Sequence, residues 1–203
     1  MIMCMSDIIC VTNRKLCREN VLERITKIAA CHPAAIILRE KDLTPAEYKV
    51  LAEQVMEICR EQDVKCILHS FVDVALSLRA DAVHLPLTLL RTMAPEDKVR
   101  FSVIGASCHS PEESREAQQL GCSYITAGHV FDTDCKKGLP GRGISFLQDV
   151  CAAVTIPVFA IGGIDSGNIA EVRSAGASGV CLMSSLMMSN DVSRLLQTME
   201  GSK

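Results

Sequence analysis

Residues 123–143 read SYITAGHVFDTDCKKGLPGRG, and this stretch contains the unit from which the rest of the chain is built. Its first five residues are rich in the β-branched and aromatic types that favour a strand. A polar, glycine-rich loop follows, and a helical pattern begins near Ile144. The stretch therefore predicts a strand, then a loop, then a helix.

The same strand–loop–helix unit recurs along the whole chain. Strand-length apolar runs that are rich in Val, Ile and Leu occur at residues 8–12, 34–38, 65–69, 81–85, 101–107, 123–127, 156–161 and 179–183. Helical patterns separate these runs. The clearest helix is opened by Thr44, a capping residue, with Pro45 in the first turn and Glu47 completing a capping box.

Eight repeats of this unit predict a closed barrel. Apolar strands that alternate with helices are typical of a parallel sheet covered by helices, and eight such units close into a (β/α)8 barrel. A doubly wound open sheet is the alternative, but no G-x-G-x-x-G motif follows the first strand. We predict an α/β fold with a single TIM-barrel domain covering residues 1–203.

Composition argues against several classes of function. The chain has 203 residues, 48% of them hydrophobic, and a formal net charge of -3, so no basic surface predicts a nucleic-acid partner. Its apolar runs are far shorter than the roughly 20 residues that span a membrane. Residues 1–7 lack the features of a signal peptide. The eleven cysteines are dispersed without a C-x-x-C pair, so we expect reduced thiols, no metal site and a cytoplasmic protein.

Polar residues that follow the predicted strands should share one face of the barrel, where active sites of this fold lie. Gly162 and Gly163 follow the seventh strand, and Ser184 and Ser185 follow the eighth. Phosphate commonly binds between these two loops, and glycine lets the backbone approach an anion closely. We predict a phosphate site there, with a tight turn that needs glycine only for its conformation as the alternative.

Two cations follow the second strand. Arg39 and Lys41 are two residues apart, so on extended backbone their side chains point the same way. They are therefore suited to bind a carboxylate or a second anion. The alternative is that they form salt bridges with the neighbouring Glu40 or Asp42.

A histidine follows the sixth strand. His129 precedes a cationic loop that contains Lys136, and a titratable imidazole beside such a loop is suited to proton transfer on an anionic small molecule. The alternative is a polar connection whose charges face water. His69 and His109 lie near the same face as further candidates, whereas His84 lies inside a strand and is interpreted as structural.

The chain resembles the thiamin phosphate synthase superfamily along nearly its whole length. The matching segments are residues 38–41 (LREK), 80–85 (ADAVHL), 104–109 (IGASCH) and 156–164 (IPVFAIGGI). Residues 128–138 (GHVFDTDCKKG) resemble the thiazole tautomerase branch.

The chain departs from the synthases where those enzymes hold magnesium on a pyrophosphate leaving group. The resemblance implies an Asn-Asp pair at the end of the third strand and another Asp after the fourth. Here the matching positions are His69 and Ser70, and residues 86–90 contain no acid. A magnesium–pyrophosphate site would therefore lack its hard oxygen ligands.

From this departure we predict a thiazole tautomerase. The resemblance implies a phosphorylated, carboxylated dihydrothiazole substrate whose ring becomes aromatic when one proton moves, without a cofactor or metal. In this hypothesis His129 is the acid and base, and Arg39, with Lys41 or Lys136, faces the carboxylate. The phosphate would bind to Gly162, Gly163, Ser184 and Ser185. Two alternatives are thiamin phosphate synthase with rearranged metal ligands and a non-catalytic phosphate-binding regulatory protein. The resemblance also implies a homodimer.

Overall fold

The computed structural model describes residues 6–201, and these residues form a closed barrel of eight parallel strands. Each strand pairs with the next, and β8 pairs with β1 to close the barrel. The strands are β1 (Ile8–Val11), β2 (Ala35–Leu38), β3 (Cys66–His69), β4 (Ala82–Pro86), β5 (Val103–Cys108), β6 (Tyr124–Gly128), β7 (Val158–Ile161) and β8 (Gly179–Leu182). The predicted TIM-barrel fold is confirmed.

Helices connect the strands. They are α1 (Val21–Ala29), α2 (Pro45–Glu61), α3 (Val72–Ser77), α4 (Leu87–Thr92), α5 (Pro95–Lys98), α6 (Pro111–Gln119), α7 (Gly143–Ala153), α8 (Ile169–Ser174), α9 (Ser184–Met188) and α10 (Val192–Gly201). Short 3-10 helices occur at Arg14–Leu16 and Asp134–Lys136. The predicted capping box is present, because Thr44 Oγ1 accepts from the amide of Glu47 while the Glu47 carboxylate accepts from the amide of Thr44.

The structure differs from the sequence pattern at the start of α8 and in containing α9. Asp165 and Ser166 are residue types that cap helices, but α8 begins only at Ile169. The Asp165 carboxylate accepts from the amide of Gly167, and the Asn168 side chain accepts from the amide of Asp165, so local side-chain bonds hold a turn there instead. The short helix α9 was not predicted.

Side chains alternate along each strand between two apolar clusters. Those that point outward, such as Ile8 and Cys10, pack under the helices in the larger cluster. Those that point inward, such as Ile9, Val11 and Ile37, fill the barrel in the smaller one. This alternation places the strand residues that line the barrel mouth.

Residues 1–5, on which the prediction about a signal peptide depends, lie outside the described residues together with residues 202 and 203. Cys4 is among them. The ten cysteines between residues 6 and 201 are all free thiols. Within the same range, no helix has both the length and the hydropathy to cross a membrane.

Candidate active site

A buried carboxylate joins the loops that follow β1 and β2. Glu40 is 2% exposed, and its carboxylate accepts hydrogen bonds from Thr12 Oγ1 at 2.8 Å and from the Arg14 amide at 2.9 Å. The Arg14 guanidinium also donates to it at 3.1 Å. Asp42 accepts from the same guanidinium and pairs with Lys15 at 2.9 Å. We call Thr12, Arg14 and Glu40 the carboxylate anchor.

The pairing of Glu40 and Asp42 bears on whether Arg39 and Lys41 form salt bridges with these acids or are available to an anionic ligand. Its pairings occupy the carboxylates of Glu40 and Asp42, so the alternative in which these residues neutralise Arg39 and Lys41 is wrong. Across residues 6–201, neither Arg39 nor Lys41 forms an ion pair with a carboxylate.

Arg39, Lys41 and Lys136 form a cation cluster at the mouth. The pKa of Lys41 is lowered from its ordinary value, first because the ammonium group is partly desolvated, and then because of the charges of Arg39 and Lys136. The structure therefore brings Arg39 and Lys136 each close enough to Lys41 for their charges to repel its ammonium group. An anionic ligand would relieve that repulsion.

Below the cations lies an inward polar layer made of His69, His84, Ser107, Tyr124 and Thr126. His84 Nδ1 is 3.0 Å from the Tyr124 hydroxyl, and its Nε2 is 2.9 Å from Ser107 Oγ. Thr126 Oγ1 is 3.4 Å from the same Nε2. The rings of His69 and His84 stack with 5.7 Å between centroids.

Both imidazoles of this layer are neutral near pH 7. The pKa of His69 is lowered to about 2, mainly by burial and then by His84, Lys41 and Arg39. The pKa of His84 is lowered to about 3 by burial and by Lys41. The layer is thus an uncharged set of hydrogen-bonding groups beneath a positive rim.

His129 contacts the loop that follows β6. Its Nε2 lies 3.2 Å from the carbonyl oxygen of Leu139, so that nitrogen donates to the loop. The amide of Arg142 donates to the His129 carbonyl at 3.0 Å. His109, which is exposed, places Nδ1 2.8 Å from the carbonyl oxygen of Gly128. These contacts leave Nδ1 of His129 as the ring nitrogen that is not engaged with the loop.

Gly162 and Gly163 are required by the packing of that loop. A Cβ on Gly162 would lie 2.3 Å from the Cβ of His129, and one on Gly163 would lie 2.4 Å from the carbonyl oxygen of Asp132. Both also have positive φ, at 105° and 66°. The positive φ values agree with the alternative of a turn that needs glycine for its conformation, and the close packing is a second reason that involves no ligand.

The backbone amides near these glycines remain suited to an anion. Within residues 6–201, the N–H groups of Gly163 and Ser184 donate to no protein acceptor. Ser184 and Ser185 begin α9, and both are half-buried at the end of β8. Phosphate binding by these residues stays a prediction.

Comparison with known proteins identifies the family. The profile of the thiamine monophosphate synthase (TMP-TENI) family matches residues 8–186. The chain belongs to this family. The thiamine-phosphate synthase of Pyrococcus abyssi is 33% identical over 189 residues, covering 91% of this chain and 88% of that protein. Thiamine-phosphate synthase 2 of Streptococcus pneumoniae serotype 4 is 34% identical over 190 residues, covering 90% and 88%.

A solved structure in the family shows the same fold. Thiamine phosphate pyrophosphorylase from Pyrococcus furiosus superimposes with a TM-score of 0.82 at 30% identity, covering 98% of this chain and 95% of that one. The superfamily prediction is confirmed. The prediction of a thiazole tautomerase is wrong, because these relatives are synthases, the activity that was held as the alternative. The likeness to the tautomerase branch is confined to residues 128–138, whereas the likeness to synthases extends over about nine-tenths of the chain.

Magnesium, which the family resemblance implies for a synthase, does not fit the donors of this chain. The ends of β3 and β4 offer the imidazoles of His69 and His84 and the hydroxyl of Ser70, and α4 continues directly with Leu87. In the described part of the chain, no group of three or more His, Cys, Asp or Glu residues is placed to hold a metal ion. Magnesium prefers carboxylate and water oxygens, so this donor set is unsuitable.

Sequence reasoning missed the carboxylate anchor and the inward positions of Tyr124 and Thr126. The period-2 alternation was a usable signal for the latter, since both alternate with the outward Ile125. The anchor gave no local signal, because Thr12 and Glu40 are 28 residues apart in the chain.

Proposed function

We propose that this chain is a transferase of the thiamin phosphate synthase type. It would join a phosphorylated thiazole to a hydroxymethylpyrimidine pyrophosphate, giving thiamin phosphate and pyrophosphate. The family membership and the named synthases that align with nine-tenths of the chain support this proposal. The structural observation that carries it is the cation cluster, which lies at the barrel mouth without carboxylate partners among residues 6–201.

The reaction requires one bond to form and one to break. The lone pair of the thiazole nitrogen forms a bond to the methylene carbon of the pyrimidine. The bond from that carbon to the pyrophosphate oxygen breaks, and its electron pair leaves with pyrophosphate. The thiazole nitrogen acquires a positive charge, and no proton needs to be moved. The protein therefore has to align the two rings and stabilise the departing anion.

The residues at the mouth are distributed to meet these two needs. Arg39, Lys41 and Lys136 would face the pyrophosphate, where negative charge accumulates as the bond breaks. The neutral inward polar layer would hydrogen-bond the pyrimidine ring. The thiazole phosphate would bind at the loops after β7 and β8, on the residues predicted from the sequence, which are Gly162, Gly163, Ser184 and Ser185.

His129 has a different part in this proposal from the one predicted. Since the condensation transfers no proton, it does not need His129 as an acid or base. Its ring would instead hold the loop that carries Lys136, through the contact with Leu139. The exposed histidine His109 would similarly hold the end of β6.

A direct assay tests the function. Purified protein is incubated with thiazole phosphate and the pyrimidine pyrophosphate, and thiamin phosphate is measured after oxidation to its fluorescent thiochrome. We expect product, and we expect Arg39→Ala to lower turnover by about 10²–10³-fold, the cost of removing one group that stabilises developing charge. Lys49→Ala, which removes an exposed cation from α2, should leave turnover unchanged. An absence of thiamin phosphate with and without magnesium would refute the proposal.

A further inference from the structure

We propose that the cation cluster Arg39, Lys41 and Lys136 binds a pyrophosphate group directly, without a divalent metal ion. This proposal rests on the proposed function only for the identity of the organic group that carries the pyrophosphate. The cation cluster would recognise the pyrophosphate itself. The cluster would thus take the place of the magnesium that the donors of this barrel do not fit.

The first support is the fixed position of Arg39. Along β2, Ala35 and Ile37 point into the barrel, so Arg39 occupies the next inward position at the mouth. Its amide donates to Thr12 Oγ1 at 2.9 Å, and the same hydroxyl donates to the buried Glu40 carboxylate at 2.8 Å. The backbone that presents Arg39 is therefore held by the carboxylate anchor before any ligand arrives.

The second support is the distribution of charge. Glu40 and Asp42, the acids adjacent in sequence to the cluster, are already paired with Arg14 and Lys15. The positive charges of Arg39 and Lys41 therefore have no carboxylate partner among the described residues. A ligand with several negative charges would compensate them together, and a guanidinium group matches the geometry of phosphate oxygens.

The third support is the unsuitability of the same space for a metal cation. A divalent ion at the mouth would be repelled by the three cations, and the neighbouring carboxylates of Glu40 and Asp42 are already paired with Arg14 and Lys15. His69 Nδ1 lies 2.7 Å from Ser70 Oγ, and both ring nitrogens of His84 are hydrogen-bonded. His69 and Ser70, which stand at the positions of the synthase acids, are thus already hydrogen-bonded to each other.

Calorimetric titration of the full chain with inorganic pyrophosphate tests the proposal. The protein is freed of metals and titrated once with EDTA in the buffer and once with excess magnesium. We expect binding in EDTA, and we expect magnesium to leave it unchanged or to weaken it, since magnesium competes for the same phosphate oxygens. Arg39→Ala and Lys41→Ala should each weaken binding by at least about tenfold, because each removes a charged hydrogen-bond donor.

Lys49→Ala is the matched control, since it removes the same charge from an exposed position on α2 and should not change the affinity. Circular dichroism of each variant verifies that it is folded. Binding that is absent in EDTA and restored by magnesium would overturn the proposal, as would no binding under either condition. Equal weakening by all three variants would also overturn it, because net charge alone would then explain the affinity.

The thiochrome assay keeps this proposal separate from the proposed function. Synthesis of thiamin phosphate, together with no binding of pyrophosphate in EDTA, would support the function and overturn metal-free binding. Metal-free binding of pyrophosphate without any synthesis would refute the function and support the anion site.

Discussion

The mouth of the barrel has two sides that hold their charges in different ways. On the β1–β2 side, the carboxylate anchor fixes the backbone through hydrogen bonds of 2.8 to 2.9 Å to the buried side chain of Glu40. On the opposite side, residues 134–140 are exposed throughout, and the loop is fastened mainly at its base, where the amides of Val130 and Phe131 donate to β7 and the residue after it. Both sides contribute cations to one cluster, but only Arg39, on the β1–β2 side, extends from backbone that the anchor holds in place.

This difference predicts that the cations of the two sides contribute unequally to the binding of an anion. A cation on a fixed backbone is pre-organised, so less conformational entropy is lost when it meets an anion. A lysine on an exposed loop must be ordered by the ligand and is screened by solvent ions. We therefore expect Arg39 to determine affinity and Lys136 to add a smaller, salt-dependent contribution. Two predictions, on Glu40 and on Lys136, test this difference, and one of intermediate size tests the neutral layer beneath the cations.

Removal of the anchor's charge should destabilise the fold. In Glu40→Gln, the neutral amide no longer compensates the charge of the Arg14 guanidinium. Its NH2 group is also a donor, so it cannot accept the hydrogen bonds that the carboxylate accepts from Thr12 and Arg14. We expect a loss of about 2–3 kcal/mol in the free energy of unfolding, in line with hydrogen bonds to charged groups. Urea unfolding monitored by circular dichroism measures it. Asp42→Asn, at an exposed partner of the same arginine, should cost less, and equal losses would contradict a special role for the buried carboxylate.

Acid should destabilise the protein through the inward polar layer. The folded-state pKa values of His69 and His84 are lowered to about 2 and 3, below the value near 6.5 of an unfolded chain. Below pH 6.5 the unfolded state therefore binds protons that the folded state does not, and stability falls until the pH reaches the folded-state pKa. Each histidine should contribute up to about 1.4 kcal/mol per pH unit, or about 2 kcal/mol between pH 6.5 and 5.

The His84→Asn variant isolates one of these contributions. It should reduce the slope of unfolding free energy against pH, measured by urea titration between pH 5 and 7, by close to one proton. His32→Asn replaces an exposed histidine with positive φ by a residue that tolerates that conformation, and it should leave the slope unchanged. A slope that is the same in both variants would show that His84 takes up protons in the folded state.

The barrel itself was accessible from sequence because its signals are local. Strand-length apolar runs, the capping box at Thr44 and the polar residues after each strand all depend on neighbours within a few positions. The two-residue spacing of Arg39 and Lys41 was also sufficient to predict that their charges lie near each other. Their charge balance was not accessible, because the partners of Glu40 and Asp42 lie 26 to 28 residues earlier, in Thr12 and in the 3-10 helix that follows β1.

The glycines after β7 show a second limit of sequence reasoning. A glycine pair that admits an anion and a glycine pair that admits another loop have the same sequence. Only the three-dimensional structure reveals that His129 and Asp132 approach Gly162 and Gly163 so closely. The likeness of one segment to a single branch of the family had a similar weakness, since the whole chain aligns with synthases.

The smallest predicted effect distinguishes the two sides of the mouth most directly. Lys136→Ala should weaken pyrophosphate binding by only about threefold at low salt, because an exposed ionic contact is worth less than about 1 kcal/mol. The difference from the unmodified protein should disappear near 1 M salt, where the Debye length is about 3 Å, whereas the deficit of Arg39→Ala should persist. Lys137→Ala removes the adjacent loop charge, which does not perturb Lys41, and should have no effect. A loss of affinity in Lys136→Ala that is as large and as resistant to salt as the loss in Arg39→Ala would contradict the proposed difference between the two sides. The loop would then have to be as pre-organised as the anchor.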